Sequence, residues 1–240
     1  MTVAMPATSR SDNNEPLHVL LTGAMGAGKS YASAYLVRQH RAMRWSRTEL
    51  MKRLSHGIAD HVGSPDGVLD LLFLDPEERQ LVRDRLIKYV QTEYVEEAGK
   101  PRRLYQDITQ ICQDQDPLCF ERELASRIDD VKNNDFSLID DVRSLDAFRF
   151  FSERGYVTVR IEATEDVRRK RMQDRDGYLP SDKTFNHPSE TQLINVQHNY
   201  VINNNSDDPQ ALYDTLDALI RKLRVGEHHD HVTGPDRQTR

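Results

Sequence analysis

The stretch Leu17-His-Val-Leu-Leu-Thr-Gly-Ala-Met-Gly-Ala-Gly-Lys-Ser30 constrains this chain more than any other. Its short apolar run, Val19-Leu20-Leu21, reads as a buried strand. That run breaks into Gly23-Ala24-Met25-Gly26-Ala27-Gly28-Lys29-Ser30, which fits G-x-x-x-x-G-K-[ST] at every fixed position. The glycines permit backbone angles that a Cβ forbids, so consecutive N–H groups turn inward around phosphate oxygens. A helix starting near Gly28 adds its N-terminal partial positive charge to that nest. Lys29 then reaches the β- and γ-phosphates, and the Ser30 hydroxyl meets Mg²⁺. The expected cofactors are ATP and Mg²⁺, held by residues Gly23 to Tyr31. A glycine-rich turn that merely carries Lys-Ser is the competing reading, and the strand before it and the helix after it argue against that.

The rest of the chain alternates between strand and helix signals, which implies a parallel sheet covered on both faces. Residues 1–15 are small and polar and read as a disordered tail. Helix continues from Tyr31 to His40, with Ala34 and Val37 set to pack on the sheet, and Ala42 to Ser46 reads as a short strand. Thr48 is placed to cap the next helix, which carries Leu50 and Leu54. Residues 76–131 are helical throughout. Pro76 opens a stretch with Leu81, Leu86, Tyr89 and Val90 at helical spacing, Pro101 opens a second and Pro117 a third. The region from about 47 to 132 therefore reads as a helical insertion over the sheet. Phe136 to Asp141 reads as a strand ending in two acids, 144–154 as a helix stopped by Gly155, and Tyr156 to Ile161 as another strand. Thr164 is placed to cap a very basic helix (Asp166 to Arg175), Tyr200 to Asn203 forms a last strand, and Pro209 to Leu223 a last amphipathic helix. The polar stretch 225–240 follows.

Charge and cysteine usage narrow the class. A formal net charge of −6 gives no global field for nucleic acid or an anionic membrane, leaving only a local basic channel for such partners. Cys112 and Cys119 stand seven apart, without metal-like spacing, and fit a reducing compartment. No apolar stretch approaches a membrane span and residues 1–16 lack the core of a signal peptide, so the expectation is a soluble cytoplasmic protein.

Three further stretches carry candidate chemistry. In Asp140-Asp141-Val142-Arg143, acids at the carboxyl end of a parallel strand lie in the crevice where ligands bind. Asp141, preferred over Asp140, is a candidate for Mg²⁺ or for the acceptor's proton, and Arg143 for the acceptor phosphate. Their competing reading is a solvated strand end with a surface ion pair. Arg168, Arg171 and Arg175, at i, i+3 and i+7, share one helix face, whereas Arg169 and Lys170 do not. Such a face, leading into the loop from Asp176, suits a lid closing over a transferring phosphoryl group, and suits a solvated charged helix equally. In His187-Pro188-Ser189-Glu190 an acid–base pair competes with a plain helix cap at Ser189. His228, His229 and His231 in the polar tail are weaker candidates, for metal.

Gly23 to Ser30, Trp45 to Lys52, Arg102-Arg103-Leu104-Tyr105-Gln106, Asp141-Val-Arg143 and His187 to Glu190 ahead of Val201-Ile-Asn203 together resemble the P-loop nucleotide kinases. Within that group the chain is most similar to phage-type deoxynucleoside monophosphate kinases, with dephospho-coenzyme A kinases and animal-type phosphomevalonate kinases as cousins. The resemblance spans about residues 17–222. It implies a three-layer P-loop kinase fold with a helical acceptor-binding insertion and an arginine-rich lid at about 166–189. It also implies acceptor-binding roles for Arg102, Arg103, Gln106, Arg143 and Glu190. Lys29, Asp141, Arg143 and the lid arginines would be catalytic, and Ser30 and Asp141 would meet the metal. Where the group reads Leu-Gln-x-x-Gly-Thr, this chain has Leu104-Tyr-Gln106-Asp-Ile-Thr109 and lacks the glycine, so the resemblance does not name the acceptor. The expected activity is transfer of the γ-phosphoryl group of ATP to a small phosphorylated acceptor, foremost a (modified) deoxynucleoside monophosphate. Dephospho-coenzyme A, phosphomevalonate, a hydroxymethylated base in DNA, and a nucleotide-dependent switch of another class remain alternatives.

Overall fold

The computed structural model describes residues 16–60, 69, 72, 74–93, 102–132, 134–177, 181–185 and 191–225. Five strands form one sheet: β1 (Leu17–Thr22), β2 (Met43–Trp45), β3 (Phe136–Ile139), β4 (Val157–Glu162) and β5 (Tyr200–Asn203). Their order is β2-β3-β1-β4-β5 and every pairing is parallel. β1 is central, with Leu20 beside Ile139 of β3 and Thr158 of β4. A strand in that position is buried on both faces, which is why it reads as an unbroken apolar run. The chain first goes to the edge strand β2, fills in β3 beside β1, and then crosses to the other side of β1, so the crevice at β1's carboxyl end is where a ligand site is expected.

Alternate side chains of β1 enter different layers. Val19 and Leu21, with Leu138, Val159 and Ile161, pack against Tyr35 and Leu36 of α1 (Lys29–His40) and Leu212, Leu216 and Ile220 of α9 (Pro209–Arg224). Leu20 and Ile139 face the other way, onto Leu124 and Ile128 of α5 (Cys119–Asp130) and Phe148 and Phe151 of α6 (Leu145–Glu153). A separate core belongs to the insertion. Leu50 of α2 (Arg47–Asp60), Val82 and Leu86 of α3 (Pro76–Thr92), Leu104 and Ile108 of α4 (Arg102–Gln115) and Phe120 bury one another there. After β4 come α7 (Glu165–Asp176) and the short α8 (Asp182–Phe185). Cys112 and Cys119 are free and buried, as ordinary helix residues.

Several local expectations are corrected. Ala34 and Val37 are exposed, and α1 instead buries Ala32, Ser33, Tyr35 and Leu36. The phase of α1 is set by the turn that launches it at Gly28, which apolar spacing alone does not reveal. In α3, Leu81 is 56% exposed while Val82, Leu86 and Tyr89 form the inward stripe. Asp75 and Glu78 close a capping box at the start of α3, with Pro76 in its first turn. Thr48 does not cap α2: Ser46 does, its hydroxyl accepting from the Glu49 amide at 3.2 Å. Thr164 precedes α7 without a side-chain cap bond. The segment His187 to Glu190, the terminal tails and the side chains of Arg102 and Arg103 lie outside the described residues.

The layer of α1 and α9 is tied by Asp217, whose carboxylate accepts from the Tyr35 hydroxyl and from His40 Nε2, both at 2.8 Å. The His40 contact, and behind it the Tyr35 hydroxyl, hold the Asp217 carboxyl below its usual range. A depressed carboxylate contributes stability above its unfolded pKa, about 3.9, and loses it as pH falls through the lower folded value. Asp217→Asn is therefore expected to lower the melting temperature at pH 7 and to shrink the loss of stability below pH 4. Thermal melts of both proteins between pH 2 and 7 check this.

Candidate phosphate site at the carboxyl edge of the sheet

β1 ends at Thr22, and residues 23–28 turn tightly into α1. Gly26 has φ +79°, and a Cβ there would lie 2.7 Å from the carbonyl oxygen of Arg168. Gly28, at φ +102°, is pressed against the carboxamide of Asn204. Asn204 follows β5 and fastens the turn from behind. Its Nδ2 donates to the Ala27 carbonyl at 2.9 Å, while its own amide donates to the Glu162 carbonyl at 2.7 Å. The turn is thus seated between α7 and the β5–α9 connection.

Lys29 extends from the start of α1 and donates to the main-chain carbonyl of Asp140, just past β3. Lys29 also lines a cleft with Thr22, Gly23, Ala24, Arg143 and Arg160, where Val142, Leu193 and Ile194 supply the apolar wall. Ser30 stands on the exposed first turn of α1, and Tyr31 is 64% exposed beside it. The residues fit a polyphosphate with its metal: a glycine turn that excludes side chains, a helix N-terminus and a lysine converge on one opening.

The two acids have other partners. The buried Asp140 carboxylate accepts from Arg44 Nε, 3.0 Å from each oxygen, an attachment that raises the Arg44 pKa. Asp141 accepts from the Ser46 hydroxyl and the Thr48 amide, both at 2.8 Å, and from the Arg47 amide at 3.2 Å. Its carboxylate therefore satisfies the first amides of α2 and joins the insertion to the sheet. Arg47 adds an ion pair to Glu121 at 2.9 Å and lies over the Phe120 ring at 5.1 Å. Burial pushes the Glu121 carboxyl up, against the lowering pull of Arg47. Arg143 lines the cleft and its carbonyl accepts from Gln192. Gln106 is exposed on α4.

The three arginines of α7 divide. Arg168 approaches the Met25 carbonyl at 3.4 Å and lies over the Phe185 ring at 4.3 Å. Arg171 donates to the carbonyls of Asn204 at 2.9 Å and Ser206 at 2.6 Å. These two meet the glycine turn and its backing loop. Arg175 binds its neighbour Asp176, whose carboxyl it holds low. Off that face, Arg169 pairs with Glu165 and Asp182, and Lys170 with Asp207.

Sequence reading did not single out Arg160, His198 or Asn204. His198 donates from Nδ1 to the Val196 carbonyl and accepts the Thr22 hydroxyl at Nε2, each at 2.7 Å. Burial holds its pKa down, so the ring stays neutral and pins the strand end from which the turn departs. A signal for Arg160 was present in β4, where Val157, Val159 and Ile161 alternate with Thr158 and Arg160.

No family model matches the sequence, and no curated protein matches it. Among solved structures, the chain is similar to TT1252 from Thermus thermophilus at 17% identity, over 87% of this chain and 98% of that one, with a TM-score of 0.48. It is also similar to an uncharacterized protein from Eubacterium ventriosum ATCC 27560, at 12% identity, over 85% of this chain and 98% of that one, with a TM-score of 0.42.

The contacts of Asp141 assign it a measurable structural share. Asp141→Ala is expected to lower unfolding free energy by about 1–2 kcal/mol, the scale of a lost helix cap. Asp141→Asn, which keeps an acceptor oxygen, should lose less. Urea unfolding followed by circular dichroism distinguishes them, and equal stability of all three proteins would contradict the capping role.

Proposed function

We propose that this chain is an ATP-dependent phosphotransferase of the P-loop kinase type, moving the γ-phosphoryl group to a small phosphorylated acceptor. The observation that carries the reading is a complete G-x-x-x-x-G-K-S turn at the carboxyl end of the central parallel strand, with Lys29 lining a cleft that Arg143 also borders. The helical insertion, rooted at Asp141 beside that cleft, supports a second substrate bound opposite the nucleotide. A modified deoxynucleoside monophosphate is the foremost acceptor, on the sequence resemblance.

In this reading the amides of residues 24–30 cradle the triphosphate and the helix dipole of α1 adds to the field. The Ser30 hydroxyl would hold Mg²⁺, which would offset developing charge on the phosphates. Lys29 leaves the Asp140 carbonyl for the β- and γ-phosphates. Arg143 holds the acceptor phosphate, so that its oxygen stands in line with the γ-phosphorus. Arg168 and Arg171, on the helix that touches the turn, bring cations over the transferring group.

Lys29→Ala should abolish most turnover and leave the fold intact. Arg143→Ala should raise the acceptor KM with little effect on ATP binding. Within α7, Arg168→Ala and Arg171→Ala should each lose about 2–4 kcal/mol of transition-state stabilisation, the scale of one preorganised donor. Arg169→Ala and Lys170→Ala should lose well under that, and Arg175→Ala should fall with them. Steady-state kinetics with radiolabelled ATP across a panel of acceptors tests all of these. Full activity in Lys29→Ala, or no acceptor-dependent turnover in the native protein, would overturn the reading.

A further inference from the structure

We infer that Arg160 is a substrate-binding residue of the same cleft, which grips the acceptor's phosphate monoester alongside Arg143. The inference rests on the phosphotransferase reading, and it specifies the acceptor end of that site.

Arg160 occupies an unusual place for a charge. β4 lies next to β1 with Thr22 opposite Arg160, so both side chains leave the sheet on one face at the point where the glycine turn begins. Its strand neighbours Val159 and Ile161 point into the core on the other face. The guanidinium is only partly satisfied. One terminal nitrogen donates to the Ile194 carbonyl and the other to Glu162 Oε2 at 2.9 Å, while Nε is buried with no partner among the described residues. The side chain is 20% exposed and borders the opening.

Three cations, Lys29, Arg143 and Arg160, therefore converge on one cleft. Asp140 and Asp141 are committed to Arg44 and to the start of α2. What such a cleft recognises is a small dianion. A phosphate monoester oxygen accepts a charge-assisted bond from a guanidinium, here from the terminal nitrogen that donates to the Ile194 carbonyl. The Ile194 carbonyl then occupies the place of a phosphate oxygen, and gives it up when the ligand enters. The apolar wall of Val142, Leu193 and Ile194 limits what can be attached to that phosphate. A free phosphomonoester fits these features better than a hydroxyl borne on a polymer.

The test uses the full chain and three variants, Arg160→Gln, Arg160→Lys and Lys29→Ala, each checked for native circular dichroism. Inorganic phosphate and Mg-ATP are titrated separately by calorimetry. Arg160→Gln should bind inorganic phosphate about tenfold more weakly, the scale of one lost charge-assisted contact, with Mg-ATP affinity within about twofold of the native protein. Arg160→Lys keeps the charge without the fork and should fall in between, which preserves the test if the glutamine variant misfolds. Lys29→Ala should lose Mg-ATP and keep phosphate. Phosphate binding that is unchanged in Arg160→Gln, absent from the native protein, or lost only with Lys29 would overturn the inference, as would an equal loss of Mg-ATP in Arg160→Gln. Failure of the native protein to bind Mg-ATP would instead overturn the phosphotransferase reading, while the phosphate titration still decides Arg160.

Discussion

The carboxyl edge of the sheet depends on one close approach. Residues 26–28 run between the backbone of α7 and the carboxamide of Asn204, with no room for a side chain on either side. The fit joins three elements that are distant in sequence: the helix after β4, the connection after β5, and the turn after β1. Within the turn the Ala27 amide donates to the Ala24 carbonyl, and Asn204 holds the Ala27 carbonyl from behind. The same contact sets the phase of α1, and through it the position from which Lys29 crosses to Asp140.

A second joint organises the other side of the cleft. Asp141 leaves β3 and satisfies the first amides of α2, while Arg47, one residue into that helix, pairs with the buried Glu121 of α5. The insertion has its own apolar core, built by α2, α3, α4 and Phe120. It is joined to the sheet by these polar contacts and by α5, whose Leu124 and Ile128 pack with Leu20 and Ile139. A carboxylate at a helix N-terminus fixes position through the amides it accepts from.

Much of the fold could be read directly. Unbroken apolar runs announced β1 and β3, alternation announced β4, and glycine or proline marked most ends. Asn203 and Gly155 fell where an element stops. What escaped reading was rotational. The inward faces of α1 and α3 follow from how each helix is launched, and neither Ala34 nor Leu81 carries a sign of its exposure. At the site, the glycine turn was legible because it is continuous in sequence. The contacts of Asp141, Arg160, His198 and Asn204 were not, since each is set by a distant part of the chain or by a face of the sheet. Asp141 illustrates the limit: two acids after a strand look alike until it is known which amides they meet.

The cations at this edge are sorted by what holds them. Arg169, Lys170 and Arg175 are held by carboxylates of Glu165, Asp182, Asp207 and Asp176. Others also reach a main-chain carbonyl: Lys29 that of Asp140, Arg168 that of Met25, Arg171 those of Asn204 and Ser206, and Arg160, which pairs with Glu162 as well, that of Ile194. A carbonyl is a neutral dipole, and losing its partner strands no charge. A phosphate oxygen forms the stronger, charge-assisted bond with the same nitrogen. A bond to a carbonyl is therefore exchanged more cheaply than one to a carboxylate. The backbone keeps these nitrogens oriented, and an arriving anion exchanges a neutral acceptor for a charged one.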